Sequence, residues 1–201
     1  MSEPRRVAVF PGSFNPIHIG HLALANWLAQ FGDVDEVRFV VSPLNPLKHR
    51  DDLFDERRRL DWVRDAIDAY PKFSVSDVEF HLPRPSYTLR TFDALTQAEP
   101  ATQFRLLIGA DNWATFDRWK DYYRFLTRFP VLIFPRPGFP LNLDAPRFAT
   151  PPNASLHTLN PPLLDISSSF IRQAITQGLH LPFFLPESIR SSVHQAFASS
   201  N

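Results

Sequence analysis

Short apolar runs alternate along this chain with longer stretches in which apolar positions recur every three or four residues. The runs Val7–Phe10, Val37–Val41, Phe73–Val78, Phe104–Ile108 and Val131–Phe134 read as strands, with a weaker one near Leu156–Leu159. Between them, Leu22–Phe31, Asp55–Tyr70 and Thr88–Ala98 carry the helical period, with Leu60, Val63, Ile67 and Tyr70 on one stripe and Leu89, Phe92 and Leu95 on another. Strand and helix in alternation predict a mostly parallel sheet with helices on both faces, which binds ligands beyond the carboxyl ends of its strands. The last quarter breaks the pattern: Ser168–Gln177 and Pro186–Phe197 read as successive helices with no strand between them, Gly178 capping the first and Ile189, Val193 and Phe197 forming the buried stripe of the second. The expected architecture is α/β, a Rossmann-like doubly wound sheet with a small C-terminal helical subdomain. One domain spans 1–201, with an α/β core over 1–165 and the helical part over 166–201.

Composition narrows the function classes. At 201 residues the chain suits one domain with a full core. Its 21 basic and 21 acidic residues balance, which leaves no electrostatic footprint for nucleic acid or an anionic membrane, though small charged ligands stay open. The absence of cysteine excludes disulfides and thiol chemistry and agrees with a reducing compartment. A first strand beginning at Val7 leaves no room for a signal peptide, and no apolar run approaches the ~18 residues of a membrane span, so a soluble, cytoplasmic protein is expected. Its 20 prolines outnumber 6 glycines and cluster at Pro43–Pro46, Pro83–Pro85, Pro135–Pro140, Pro151-Pro152 and Pro161-Pro162, which marks these segments as loops.

The candidate chemistry is concentrated in Gly12-Ser13-Phe14-Asn15-Pro16-Ile17-His18-Ile19-Gly20-His21, directly after the first predicted strand and before the first predicted helix. The amides of a helix's first turn lack intrahelical partners and carry the positive end of its dipole, so strand, turn and helix in this order form an anion site. His18 and His21, three apart, share a face if helical geometry has begun there, and two imidazoles strengthen the pull; Gly20 lets a ligand approach the backbone. Two surface histidines flanking a helix start is the plain alternative. A zinc site is another, but it needs a third or fourth ligand and the chain has no cysteine.

The second candidate is Ile166-Ser167-Ser168-Ser169-Phe170-Ile171-Arg172, at the start of the penultimate predicted helix. Serines there cap free amides, and hydroxyls, amides and a guanidinium together also suit a phosphate chain. GSFNPIHIGHL followed far downstream by ISSSFIR resembles the paired signatures of the HxGH nucleotidyltransferases, and within them the bacterial nicotinate-nucleotide adenylyltransferases. Pro85-Ser86-Tyr87-Thr88 looks like that family's nicotinate-recognition segment. Ile108-Gly109-Ala110-Asp111 with Thr115-Phe116-Asp117-Arg118-Trp119 looks like its central segment, and Arg136-Pro137-Gly138 is a further match. The resemblance runs in the family's order from Val7 to about Pro186. Pro11 departs from it, standing where glycine is frequent and removing one backbone donor; Asn15 and Ser169 are milder departures.

The resemblance implies adenylyl transfer from ATP to nicotinate mononucleotide, in line and without a covalent intermediate. It implies His18 and His21 at the α-phosphorus and Arg172, with Ser168 and Ser169, on the β and γ phosphates. Gly12, Ser13, Phe14, Gly20, Gly109 and Asp111 complete the expected ATP site. Tyr87, Thr88, Trp119, Lys48 and Arg136 form the expected mononucleotide site. Magnesium (Mg2+) is expected to bridge phosphate oxygens with no dedicated protein ligand. Lys48, and His49 beside it, read equally well as solvated side chains. ATP and nicotinate mononucleotide are the expected partners, and a homo-oligomer stays open. Alternatives on the same scaffold are an adenylyltransferase acting on nicotinamide mononucleotide or phosphopantetheine. A class I aminoacyl-tRNA synthetase shares the letters His-Ile-Gly-His, but such enzymes are larger, with a lysine-rich second signature. A noncatalytic nucleotide-binding module is the remaining reading.

Overall fold

The computed structural model describes residues 3–43, 53–143 and 146–198; Lys48 and His49 lie outside them. Five strands form where apolar runs were read: β1 (Arg5–Gly12), β2 (Glu36–Val41), β3 (Phe73–Ser76), β4 (Thr102–Gly109) and β5 (Val131–Phe134), and the weak sixth becomes the short edge strand β6 (Leu156–Thr158). All pair in parallel in the order β3-β2-β1-β4-β5-β6. The order reverses direction between β1 and β4, and the crevice beyond the carboxyl ends of those two strands is where such sheets bind ligands.

Alternation along the strands builds one core on each side of the sheet. Ala8 and Phe10 of β1, Phe39 and Val41 of β2 and Leu107 of β4 face one side, joined there by α1 (Ile19–Phe31), α2 (Glu56–Ile67), α6 (Ser168–Thr176) and α7 (Glu187–Ala198). Val7, Val9, Leu106, Ile108, Val131 and Ile133 face the other, covered by α3 (Thr88–Ala98), α4 (Ala110–Trp113) and α5 (Tyr122–Leu126). The two C-terminal helices share a core with α1 and α2: Ile171, Ile189 and Val193 are fully buried, and Phe197 meets Phe54 edge-on with ring centroids 4.4 Å apart.

Helix ends follow local chemistry. The Asp55 carboxylate caps α2, accepting from the Arg57 and Arg58 amides at 3.0 and 3.2 Å. Gly178, at φ +76°, ends α6 in a Schellman arrangement, its N–H on the Ile175 carbonyl and the Leu179 N–H on that of Ala174. Some boundaries differ from the apolar pattern. The third strand stops at Ser76 and gives way to a 3-10 turn over Val78–His81, and α2 ends at Ile67, short of Tyr70.

Candidate active site

A cleft of about 640 Å3 opens at the switch point. Its floor comes from the ends of β1, β4 and β5 and the residue after β2, and its walls from the starts of α1, α3 and α6. Among the described residues, eight buried side-chain nitrogen or oxygen atoms lack a hydrogen-bond partner; four of them, Ser13 Oγ, His18 Nδ1, Asp111 Oδ1 and Trp119 Nε1, belong to residues lining this cleft. Buried polar groups are normally paired, so their concentration here marks a volume arranged for a polar ligand.

The first loop leaves β1 at Gly12, whose carbonyl accepts the Ser42 amide at 2.9 Å. Phe14 takes a left-handed conformation, φ +44°, and its ring turns into the core against Phe10, Phe39 and His21. Its main chain is what remains for a ligand. His18 caps α1 and His21 occupies the third helical position; their rings stack with centroids 3.7 Å apart, and the His18 amide donates to His21 Nδ1 at 3.3 Å. The two histidines therefore share a face, as their spacing predicts.

Two features of this helix start differ from a generic anion site. The Ile19 amide donates to the Phe184 carbonyl at 3.0 Å, so one of the amides expected for an anion is engaged within the protein. His18 is only 3 % exposed, and burial, with the nearby Arg136 charge, lowers its pKa to about 3. At neutral pH it is an uncharged donor or acceptor, so it strengthens the anion site by hydrogen bonding and not by charge. Gly20 has a related role, since a Cβ there would stand 3.1 Å from the His18 ring; the missing side chain makes room for the imidazole.

The second signature is bolted to the first. Ser167 caps α6, its Oγ accepting the Phe170 amide at 3.1 Å, so the capping role falls to this serine. The Ser168 hydroxyl donates to the Pro16 carbonyl at 2.9 Å, and Arg172 Nη1 donates to the Asn15 carbonyl at 3.0 Å. Arg172 Nη2 reaches Ser169 Oγ at 3.3 Å. Among the described residues these two bonds engage only part of a guanidinium that carries five donors.

On the opposite wall Tyr87 caps α3 without a side-chain bond and Thr88 begins the helix beside Ser86; the Arg90 amide turns back to the Tyr87 carbonyl, and the Thr88 and Leu89 amides have no partner among the described residues. Trp119, half-buried, lies against Phe116 with ring centroids 4.8 Å apart. Asp111 folds back over Gly109, where a Cβ would stand 2.3 Å from its Oδ1, and Arg136 Nε lies 3.9 Å from the same oxygen. The cleft thus brings together every expected site residue except Lys48, which lies outside the described residues. Arg59, buried beneath the first loop, escapes sequence reasoning because α2's charged surface hides it among Arg57, Arg58 and Arg64. Glu79 is missed for a similar reason: it directly follows what reads as a strand, where a carboxylate reads as a solvated side chain.

The cytidylyltransferase-like family model matches residues 9–174. A probable nicotinate-nucleotide adenylyltransferase of Bacteroides fragilis (strain YCH46) is 46% identical over 190 residues, 94% of this chain and 92% of its own length. A probable nicotinate-nucleotide adenylyltransferase of Bacteroides thetaiotaomicron is 44% identical over 203 residues, 99% of this chain and 98% of its own. Among solved structures, the Plasmodium falciparum nicotinic acid mononucleotide adenylyltransferase complexed with NaAD superposes with a TM-score of 0.80 at 18% identity, covering 98% of both chains; this likeness concerns the fold. With near-full-length relatives well above 30% identity, the chain belongs to the nicotinate-nucleotide adenylyltransferases of the cytidylyltransferase-like family.

Proposed function

We propose that the chain transfers the adenylyl group of ATP to nicotinate mononucleotide, forming deamido-NAD and releasing pyrophosphate. The observation that carries this reading is the meeting of both signatures with Tyr87, Thr88 and Trp119 around one cleft, which puts phosphate chemistry and an aromatic subsite within one volume. The nucleophile is the mononucleotide phosphate, largely dianionic at neutral pH because the second pKa of a phosphate monoester is about 6. Its oxygen attacks the α-phosphorus in line; the bond from that phosphorus to the bridging oxygen breaks, and the electron pair leaves with pyrophosphate. No protein nucleophile takes part, so the protein acts by positioning and by aiming donors at the charge that builds on the equatorial oxygens.

In this reading His18 and His21 donate to the α-phosphate oxygens, and a neutral His18 does so as a hydrogen-bond donor. Arg172 directs its remaining donors to the β and γ phosphates together with the open amides of Ser168 and Ser169. Gly12, Ser13, Phe14 and Gly20 line the phosphate path through main chain and hydroxyl. Gly109 and Asp111 serve the adenosine side, the carboxylate accepting from ribose hydroxyls. Trp119 stacks on the pyridine, the start of α3 at Tyr87 and Thr88 receives the nicotinate carboxylate, and Arg136 adds positive charge nearby. Among the described residues no three His, Cys, Asp or Glu side chains cluster to hold a metal. Magnesium belongs with ATP as part of the substrate. Among the described residues no helix is long and apolar enough to cross a membrane, and the cysteine-free composition suits a reducing cytoplasm.

Purified protein with ATP, magnesium and either nicotinate or nicotinamide mononucleotide should release pyrophosphate, faster with the nicotinate form. No release with either overturns the proposal, and a preference for the amide moves it to the neighbouring substrate.

A further inference from the structure

Arg59 is fully buried, and no carboxylate lies within ion-pair distance of it among the described residues. Its donors go to four main-chain carbonyls: Nε to Phe54 at 2.8 Å, Nη1 to Ser13 and to Ser42 at 2.9 Å, and Nη2 to Pro43 at 3.0 Å. Removing a charge from water costs several kcal/mol, and an apolar side chain of similar volume would cover the same face without that cost. What the guanidinium supplies is a planar fork that holds carbonyls from three separate segments at once.

Two of those carbonyls belong to residues lining the cleft. A trans peptide carries its carbonyl and amide on opposite sides, so drawing the Ser13 carbonyl inward turns the Phe14 amide away from Arg59. Phe14 is also the residue held at φ +44°, a conformation that persists only where its surroundings enforce it.

Ser42 carries the same bracing across the cleft. Its amide holds the Gly12 carbonyl at 2.9 Å, its carbonyl accepts from Arg59, and its side chain hydrogen-bonds the Glu79 carboxyl. Glu79 is 5 % exposed; its Oε1 accepts the Thr91 hydroxyl at 2.9 Å, and its main-chain carbonyl accepts the Ser86 hydroxyl at 3.4 Å. Thr91 Oγ1 lies 3.4 Å from the Tyr87 carbonyl, which closes the chain at the start of α3. Deep burial raises the Glu79 pKa against the opposing effect of the Thr91 and Ser42 hydroxyls.

We propose that Arg59, Ser42 and Glu79 are positioning residues, a buried brace that holds the phosphate loop and the pyridine segment in fixed relation. The inference rests on the functional reading above. Arg59 aims the loop's amides at the transferred phosphate, and Glu79 sets the α3 start that receives the nicotinate carboxylate. The two ends therefore act on different kinetic constants.

Arg59→Lys keeps the charge and loses the fork. With thermal unfolding showing a folded protein, it should lower kcat tenfold to a hundredfold with both KM values within about threefold of wild type, since small misplacements act on the transition state. Glu79→Ala should raise KM for nicotinate mononucleotide about tenfold and leave KM for ATP unchanged. Glu79→Gln, which keeps shape and hydrogen bonding, should restore it to within about twofold. Arg59→Lys at wild-type kcat, or Glu79→Gln as impaired as Glu79→Ala, overturns the brace. If the wild type releases no pyrophosphate, the functional reading falls. The brace is then decided by calorimetric titration with nicotinate mononucleotide, where binding lost in Glu79→Ala and regained in Glu79→Gln supports it and any other pattern overturns it.

Discussion

At the scale of single residues, His18 shows how environment overrides residue type. A histidine at a helix start next to a phosphate site invites a cationic reading, yet this ring is buried, stacked on His21 and close to Arg136, so it stays neutral across the physiological range. A neutral donor binds ground-state ATP only modestly and gains strength as the α-phosphate oxygens accumulate charge. His18→Ala should therefore lower kcat by a factor on the order of 10²–10³, the usual effect of deleting one preorganised donor, with KM for ATP changed only a few-fold. Steady-state kinetics with varied ATP separates the two, and an unchanged kcat removes His18 from the chemistry. The same neutrality predicts a kcat/KM profile without an inflection from this group between pH 6 and 8, because the free enzyme's His18 does not titrate there.

At the scale of elements, the two signatures work as one unit: α6 donates Ser168 and Arg172 to the backbone carbonyls of the first loop, while Ser167 alone caps the helix. Ser167→Ala should then cost about 1 kcal/mol and lower Tm by ~2–4 °C, with kcat and both KM values unchanged; calorimetry beside kinetics checks it, and a loss of activity at full stability would place Ser167 in the site. The strands and long helices were legible because apolar runs and four-residue stripes such as Ile189, Val193 and Phe197 fill several turns or a whole strand. Ala110–Trp113, Phe116–Arg118 and Tyr122–Leu126 were not, since elements of four, three and five residues are shorter than the window a period needs. The cleft's rim was legible for a different reason, since motif residues such as Tyr87, Trp119 and Arg172 carry recognisable chemistry in a recognisable order. Its support was not, because nothing in a charged helical stretch tells that Arg59 points inward while Arg57 and Arg58 stay out.

At the scale of the whole molecule, placing the cleft at the switch point draws ionisable groups into the interior, and stability must then depend on pH through them. His18 has a folded pKa near 3 against about 6.5 when unfolded, so between those values the unfolded chain binds the additional proton. Its contribution is fully present above pH 6.5 and is lost as pH falls toward 3, at ~1.4 kcal/mol per unit within that window. Glu79 has the opposite sign: its raised pKa favours the protonated folded state, a contribution present in acid and lost as pH rises through the folded value. The two trends overlap in weakly acidic solution, so the slope of the wild type alone cannot apportion them. Substitution can. His18→Gln removes the imidazole's titration and leaves Glu79 in place, so urea unfolding at pH 7 and pH 5 should show a smaller loss of stability for the variant than for the wild type, the difference being about 2 kcal/mol. Equal losses in both proteins would mean that the His18 ring takes up its proton in the folded state as readily as in the unfolded chain. The donor assigned to the transferred phosphate would then share the site with its protonated form as pH falls through about 6.5.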